Sequence, residues 1–208
     1  MKNIVTVFCL FFLNIIYAQS VYELTPDSKD NQLLLTIENI SETDTATNIE
    51  IRFLKLPSSI ELQNHPAIIA SIAPKQQTEL PITFNVKRNI KTAQIDTAEI
   101  VISSENKILS SKSFIFSYAI PKEFKLEQNY PNPFNPITKI KYQLPITTKV
   151  SLKVFDILAR EVKTLVDELK EAGYYEIDFN ASELSSGIYF SRLESDSFMK
   201  TIKMTLVK

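Results

Sequence analysis

Very few residues in this 208-residue chain could do chemistry, and those few stand alone. His65 is the only histidine and Cys9 the only cysteine. A general base or metal ligand at His65 needs a second polar partner of the right type. With Pro66 after it, no second imidazole in the chain and its one thiol, Cys9, far away near the start, His65 reads as a surface-loop residue. Asp27, Asp30 and Asn31 have part of the spacing of a calcium loop, but its glycine and distal glutamate are missing. Glu23, Asp27, Asp44, Glu50, Glu79 and Asp96 are scattered, and no spacing selects two of them as an acid and base pair. Gly173 and Gly187 are the only two glycines. Phosphate-cradling loops and oxyanion turns use glycine for positive φ and close backbone approach. No catalytic residue, cofactor site or metal site is therefore assigned.

The elements that must position these residues begin with an apolar leader. Lys2 is its basic start, Ile4 to Ile16 is apolar apart from Thr6 and Asn14, and Ala18 is the small residue a signal peptidase needs. Cleavage is expected between Ala18 and Gln19, making 1–18 a signal peptide. The run is shorter than the roughly 20 apolar residues of a spanning helix. Thr6-Val7-Phe8 before Cys9 also lacks the small residues of a lipid-modification site. Once Cys9 leaves, the chain has no disulfide, thiol nucleophile or thiolate metal site. Loss of Lys2 takes the formal charge from -1 to -2, which points to neither nucleic acid nor an anionic membrane.

From Val21 to Tyr118 the apolar residues alternate. Leu33, Leu35 and Ile37; Ile49, Ile51 and Phe53; Leu80, Ile82, Phe84 and Val86; Ala98, Ile100 and Ile102; and Phe114, Phe116 and Tyr118 each mark a half-buried strand. Turn-forming stretches lie at 41–45, 57–59, 73–75 and 104–106. About six or seven such strands predict an immunoglobulin-like β-sandwich over 19–119, without the cysteine pair and core tryptophan of antibody domains. The fold class expected is all-β, two small sandwiches following the leader.

Residues 120–128 read as a linker. Asn129-Tyr130-Pro131-Asn132-Pro133-Phe134-Asn135-Pro136 is stiff, since each proline pushes its predecessor out of the helical region. A second strand series follows over 129–208: Ile140, Tyr142, Leu144; Val150, Leu152, Val154; Tyr175, Ile177, Phe179; Ile188, Phe190; and Ile202, Met204, Leu206. The spacing of Val162, Leu165, Val166 and Leu169 suits a short helix as well as a strand.

From Phe124 to Lys208 the chain resembles the type A C-terminal sorting domain of the bacterial type IX secretion system. The match runs in order through Asn129 to Pro136, then Thr138, Ile140, Tyr142, Leu144 and Pro145. It continues through Val154 to Leu158, Arg160-Glu161-Val162, Ala172-Gly173-Tyr174, Leu184 to Phe190 with Gly187 and Tyr189, and the basic last strand ending at Lys208. The resemblance implies a small β-sandwich, 161–169 extended rather than helical, and recognition by an outer-membrane translocon. It also implies removal by a surface sortase-like protease and attachment of the cargo to lipopolysaccharide, or its release. Ala159 departs from the family's glycine at a hairpin turn, where positive φ costs alanine about 1 kcal/mol.

Tyr130 and Phe134 are expected to pack the linker onto this domain. Asn39-Ile40-Ser41 and Asn180-Ala181-Ser182 fit a glycosylation pattern that means little in a bacterial exporter. Asp44-Thr45-Ala46 and Asp96-Thr97-Ala98 resemble short O-glycosylation sites of Bacteroidetes-type bacteria, which makes Thr45 and Thr97 candidate acceptors.

The expectation is a non-enzymatic protein, secreted or held at the outer-membrane surface, with structural or adhesive cargo of unassigned ligand. An accessory carbohydrate- or protein-binding module acting beside a separate enzyme is the alternative. A small hydrolase is disfavoured by the lone histidine and absent thiol.

Overall fold

The structure, a computed structural model, describes residues 4–9, 21–64, 67–90, 94–105 and 107–208, with only the backbone for 4–9. Among the described residues all regular structure is β, as the alternation predicts. The chain divides into two compact units, Met1–Lys87 with Ala93–Ala119 and Arg88–Thr92 with Ile120–Lys208.

The first unit holds β1 (Ile4–Cys9), β2 (Val21–Leu24), β3 (Asn31–Glu38), β4 (Ala46–Lys55), β5 (Ile60–Leu62), β6 (Ala67–Ile72), β7 (Gln77–Val86), β8 (Ile95–Ser104) and β9 (Lys107–Tyr118). One sheet has the order β1-β3-β7-β5 and the other β2-β9-β8-β4-β6. Directly opposed residues of an antiparallel pair share a face. Leu33 opposite Ile82 and Leu35 opposite Leu80 therefore form one wall of the core. Ile49, Ile51, Ala98, Ile100, Ile102, Phe114 and Phe116 are buried in the other sheet. β1 runs parallel to β3 along the sheet margin, from Ile4 opposite Gln32 to Cys9 opposite Ile37. Between β3 and β4 the turn is closed by Ser41 Oγ, which accepts from Thr43 N at 3.3 Å and Asp44 N at 2.9 Å.

The second unit holds β10 (Lys125–Leu126), β11 (Ile137–Leu144), β12 (Thr148–Phe155), β13 (Glu161–Lys170), β14 (Gly173–Asn180), β15 (Gly187–Ser195) and β16 (Phe198–Leu206). Its sheets have the orders β10-β11-β14 and β13-β12-β15-β16. Ile140, Tyr142 and Leu144 from the first face Val150, Leu152, Val154, Leu193 and Met204 from the second in one core. Arg88, buried in this unit, donates through Nε to Tyr175 O at 3.0 Å and through Nη2 to Tyr142 O at 3.2 Å. Nη2 also pairs with Glu127 at 3.1 Å.

Two details of the second unit depart from alternation. Residues 161–169 are extended, in line with the family resemblance and against a helix. The pairing with β12 shifts register twice, so that Leu152 opposes Val166, Lys153 opposes Thr164 and Phe155 opposes Glu161. Leu165 and Val162 are the residues left over at these irregularities, and each extra residue resets the period-two phase. The outcome resembles helical spacing on paper.

In β15 the expected inward residues Ile188 and Phe190 are the wrong phase. Tyr189, Ser191 and Leu193 are buried, whereas Ile188 is 39% exposed. The neighbours decide this: Tyr189 opposes Met204, Ser191 opposes Ile202 and Leu193 opposes Leu152, all core positions.

Candidate recognition surface

The Asn-Pro motif is held by its own polar side chains. Asn129 is buried, and its Nδ2 donates to Pro131 O at 3.0 Å and Thr138 Oγ1 at 2.9 Å. Thr138 Oγ1 in turn donates to Pro131 O at 2.8 Å. Gln128 Nε2 donates to Asn129 Oδ1 at 2.7 Å and to Lys203 O at 2.8 Å. Prolines remove backbone donors, so side-chain amides supply the missing order. Both the Tyr130-Pro131 and Asn132-Pro133 bonds are cis.

The motif is pinned to the end of the chain. Phe134 N donates to Thr205 O at 2.9 Å, Val207 N to Phe134 O at 3.0 Å, and Thr205 N to Asn132 Oδ1 at 2.9 Å. Phe134 is buried, its ring 6.0 Å from that of Phe179. Tyr130 does the opposite of what was expected and is 80% exposed. Its backbone exchanges both hydrogen bonds with Lys139, which aims the side chain outward from the sheet.

The third segment of the match joins at Gly187, which opposes Leu206. Lys208 N donates to Ser186 Oγ at 3.0 Å, and Lys208 Nζ donates to Ser182 O at 2.6 Å. Tyr189 OH donates to Ser185 O at 2.8 Å. Segments 128–136, 182–189 and 203–208 are thus brought together, though some seventy residues separate the first from the last. Gly173 lies elsewhere, opposite Leu144 at the start of β14. Gln128, Ser182, Ser185 and Ser186 are contributors that alternation could not single out, because their work is hydrogen bonding, two bonds from Gln128 Nε2 and acceptance by Ser182 O, Ser185 O and Ser186 Oγ.

A second feature is the β12–β13 turn. Asp156 Oδ1 accepts from Leu158 N at 2.9 Å and Arg160 N at 3.0 Å, and Oδ2 pairs with Arg160 Nε at 2.7 Å. Burial alone would raise the Asp156 carboxyl, but these donors hold it below the ordinary value. Ala159 has φ 59°, the left-handed conformation that glycine adopts without strain. Ile157 and Leu158 are carried at the tip, each 69% exposed.

In the first unit, Ser59, Gln94, Asp96 and Tyr118 form a polar cluster. Ser59 Oγ and Tyr118 OH donate to Asp96 Oδ2 at 3.0 and 2.6 Å and lie 2.5 Å from one another. Gln94 Nε2 donates to both carboxylate oxygens. Burial pushes the Asp96 carboxyl up, but the hydrogen bonds from Tyr118, Gln94 and Ser59 outweigh it and hold it below the ordinary value. Burial and then Asp96 itself push the Tyr118 hydroxyl upward. A carboxylate so well solvated by donors is a weak base, and the cluster ties β8 and β9 to the turn before β5.

A cavity of about 520 Å³ in the first unit is lined by the apolar Ile37, Ile49, Ile72 and Leu109 and by the acidic Glu42 and Asp44. Thr45 also lines it and is exposed, whereas Thr97 sits inside β8 opposite Ile115. Asn31, part of the calcium-loop spacing, is buried, with Nδ2 donating to Ser28 Oγ at 2.9 Å and Phe84 O at 3.3 Å. Ala18, Gln19 and His65 lie outside the described residues.

Comparison with known proteins assigns the C-terminal geometry. Residues 128–208 match the family model described as "Secretion system C-terminal sorting domain". No curated protein matches the sequence. Among solved structures, dimeric latent PorU from Porphyromonas gingivalis is similar at 12% identity and a TM-score of 0.34, over 92% of this chain and 19% of that one. The chain thus spans about a fifth of that structure's length. CBD12 from CALX1.2 is similar at 12% identity and a TM-score of 0.37, over 84% and 76% of the two chains. Domains 3 and 4 of rat CD4 follow at 11% identity and a TM-score of 0.27, over 90% and 99%. The C-terminal match means that the chain carries a type IX sorting domain, which engages the type IX secretion machinery. That domain directs export to the cell surface or through the outer membrane.

Proposed function

We propose that this is an exported, non-enzymatic protein whose first sandwich, of immunoglobulin-like type, is structural or adhesive cargo delivered by the sorting domain. Residues 1–18 serve as a leader removed between Ala18 and Gln19. The second unit then engages the translocon, and a surface sortase-like protease removes it as the cargo is released or joined to lipopolysaccharide. The observation that carries this reading is the convergence of the Asn129–Pro136 motif on the terminal strand, in the part of the chain that matches the sorting family. The non-enzymatic part rests on the sequence, which has one histidine, His65, and one cysteine, Cys9, the latter lost with the leader.

Fractionation of host cells, with mass spectrometry of both termini, tests it. The expected product starts at Gln19 and lies at the surface or in the medium; a chain retained inside the cell would overturn the proposal. His65→Ala should change no activity that accompanies the protein.

The cavity favours a second reading, an accessory binding module. Its volume is within the range of ligand pockets, roughly 300–1,000 Å³. No aromatic ring is among its described lining residues, so an apolar group fits its apolar lining better than a stacked sugar does. A glycan array and a pull-down with residues 19–119 separate the two readings.

A further inference from the structure

The margin of the first unit's four-stranded sheet is covered by a segment that the proposed processing discards. β1, Ile4–Cys9, pairs along β3 from Gln32 to Ile37, and β7 occupies the other side of β3. If the chain begins at Gln19, β1 is gone. Only Gln19 and Ser20 then precede β2, which is itself paired with β9 in the other sheet. Among the described residues no other strand lies along that side of β3.

An open edge presents a row of backbone donors and acceptors and accepts any strand that fits. Natural edges are usually blocked by charge, proline or a bulge. β3 has none of these from Asn31 to Ile37: Asn-Gln-Leu-Leu-Leu-Thr-Ile carries no charged residue and no proline, and its pairing with β7 runs without a register shift.

We propose that processing opens the β3 edge and that a second copy of the processed chain occupies it, β3 against β3 antiparallel about a two-fold axis. This rests on the leader reading given under Proposed function. Opposed residues must share a face, so inward Leu33, Leu35 and Ile37 must oppose inward residues of the partner. Two well-overlapped registers do this. With Leu34 opposite Leu34, Glu38 meets Asp30 and like charges face each other. With Leu35 opposite Leu35, Leu33 meets Ile37 and Glu38 meets Gln32, with no charge conflict. The second register is the one assigned. It continues the sheet across the axis and extends the two cores as one wall.

The test uses protein purified after export, with its first residue read by mass spectrometry and its mass by sedimentation equilibrium. Chains that begin at Gln19 should sediment at twice the chain mass. Leu34 is half-buried on the face opposite the core, so Leu34→Lys should return the mass to that of one chain while the thermal melt stays cooperative. Gln32→Glu, which sets a like charge against the partner's Glu38 in the assigned register, serves as the second variant should Leu34→Lys fail to fold. The double variant Gln32→Cys with Glu38→Cys should form a disulfide-linked pair, the processed chain having no other cysteine, and Gln32→Cys alone should not. Chains beginning at Gln19 that remain single overturn the edge proposal and leave the leader reading standing. Chains that keep Met1 overturn both. A dimer that survives both Leu34→Lys and Gln32→Glu places the contact elsewhere and also overturns it.

Discussion

Ala159 sits at φ 59° in a turn built by Asp156, with Ala159 N donating to Asp156 O at 3.1 Å. Glycine reaches that conformation without the Cβ penalty, so Ala159→Gly should stabilise the second unit by about 1 kcal/mol, read as a higher urea midpoint at unchanged slope. A lower midpoint would show that the larger unfolded-state entropy of glycine outweighs the strain it relieves at this turn. Asp96 makes a different kind of prediction. Its folded pKa is held below the ordinary carboxylate value, with burial opposing and the Tyr118, Gln94 and Ser59 hydrogen bonds winning. The contribution it makes to stability is therefore fully present above the unfolded value, about 3.9, and is lost as pH falls through the lower folded value. Asp96→Asn should flatten the acid limb of stability against pH for the first unit, while the wild type loses stability between those two values. An unchanged acid limb in the variant would place the acid sensitivity on other carboxylates. The positive φ at residue 159 was legible from a family's glycine; the Asp96 cluster was not, because Ser59, Asp96 and Tyr118 are far apart in sequence and meet only when the turn before β5 folds back.

At the scale of elements, β16 is the strand on which the second unit closes. Ile202, Met204 and Leu206 are buried, as their alternation with Thr201, Lys203, Thr205 and Val207 predicts. Three such side chains at about 1.5–3 kcal/mol each contribute roughly 5–9 kcal/mol, comparable to the whole stability of a domain, about 5–15 kcal/mol. The strand also receives the motif, through Thr205 O and Val207 N on either side of Phe134. Deleting Lys200–Lys208 should unfold the second unit and leave the chain in the periplasm, to be degraded there. Thr205→Ser keeps the backbone contacts and should export normally. Surface levels equal to wild type after the deletion would show that β16 is dispensable for export. β13 and β15 mark the limit of reading elements from periodicity, since a bulge or a partner strand's phase can override the pattern within one strand.

On the scale of the whole molecule, each unit has its own pair of sheets. The core of the first draws its buried residues from β2 to β9, all within 21–118. A fragment of residues 19–119 should therefore melt cooperatively alone, because its strands close a core without the second unit. A broad, non-cooperative melt by calorimetry would mean that the first sandwich depends on the sorting domain for its stability.

Composition and period-two alternation determined that the chain is all-β and that Leu33, Ile100, Ile140 and Met204 are core, and the resemblance of an ordered set of C-terminal segments to a known family marked them as an export domain. Those readings depend on local side-chain periodicity and on residues adjacent in sequence, which a chain displays before it folds. Tertiary structure alone decided that Tyr130 faces outward while Phe134 is buried, that β15 turns Tyr189 inward, and that the segments carrying Asn129 and Ser186 both meet the terminal strand. Each of these follows from which strand becomes a neighbour. A residue's partner across a sheet is set by pairing register over tens of residues, and a shift of one position exchanges its two faces.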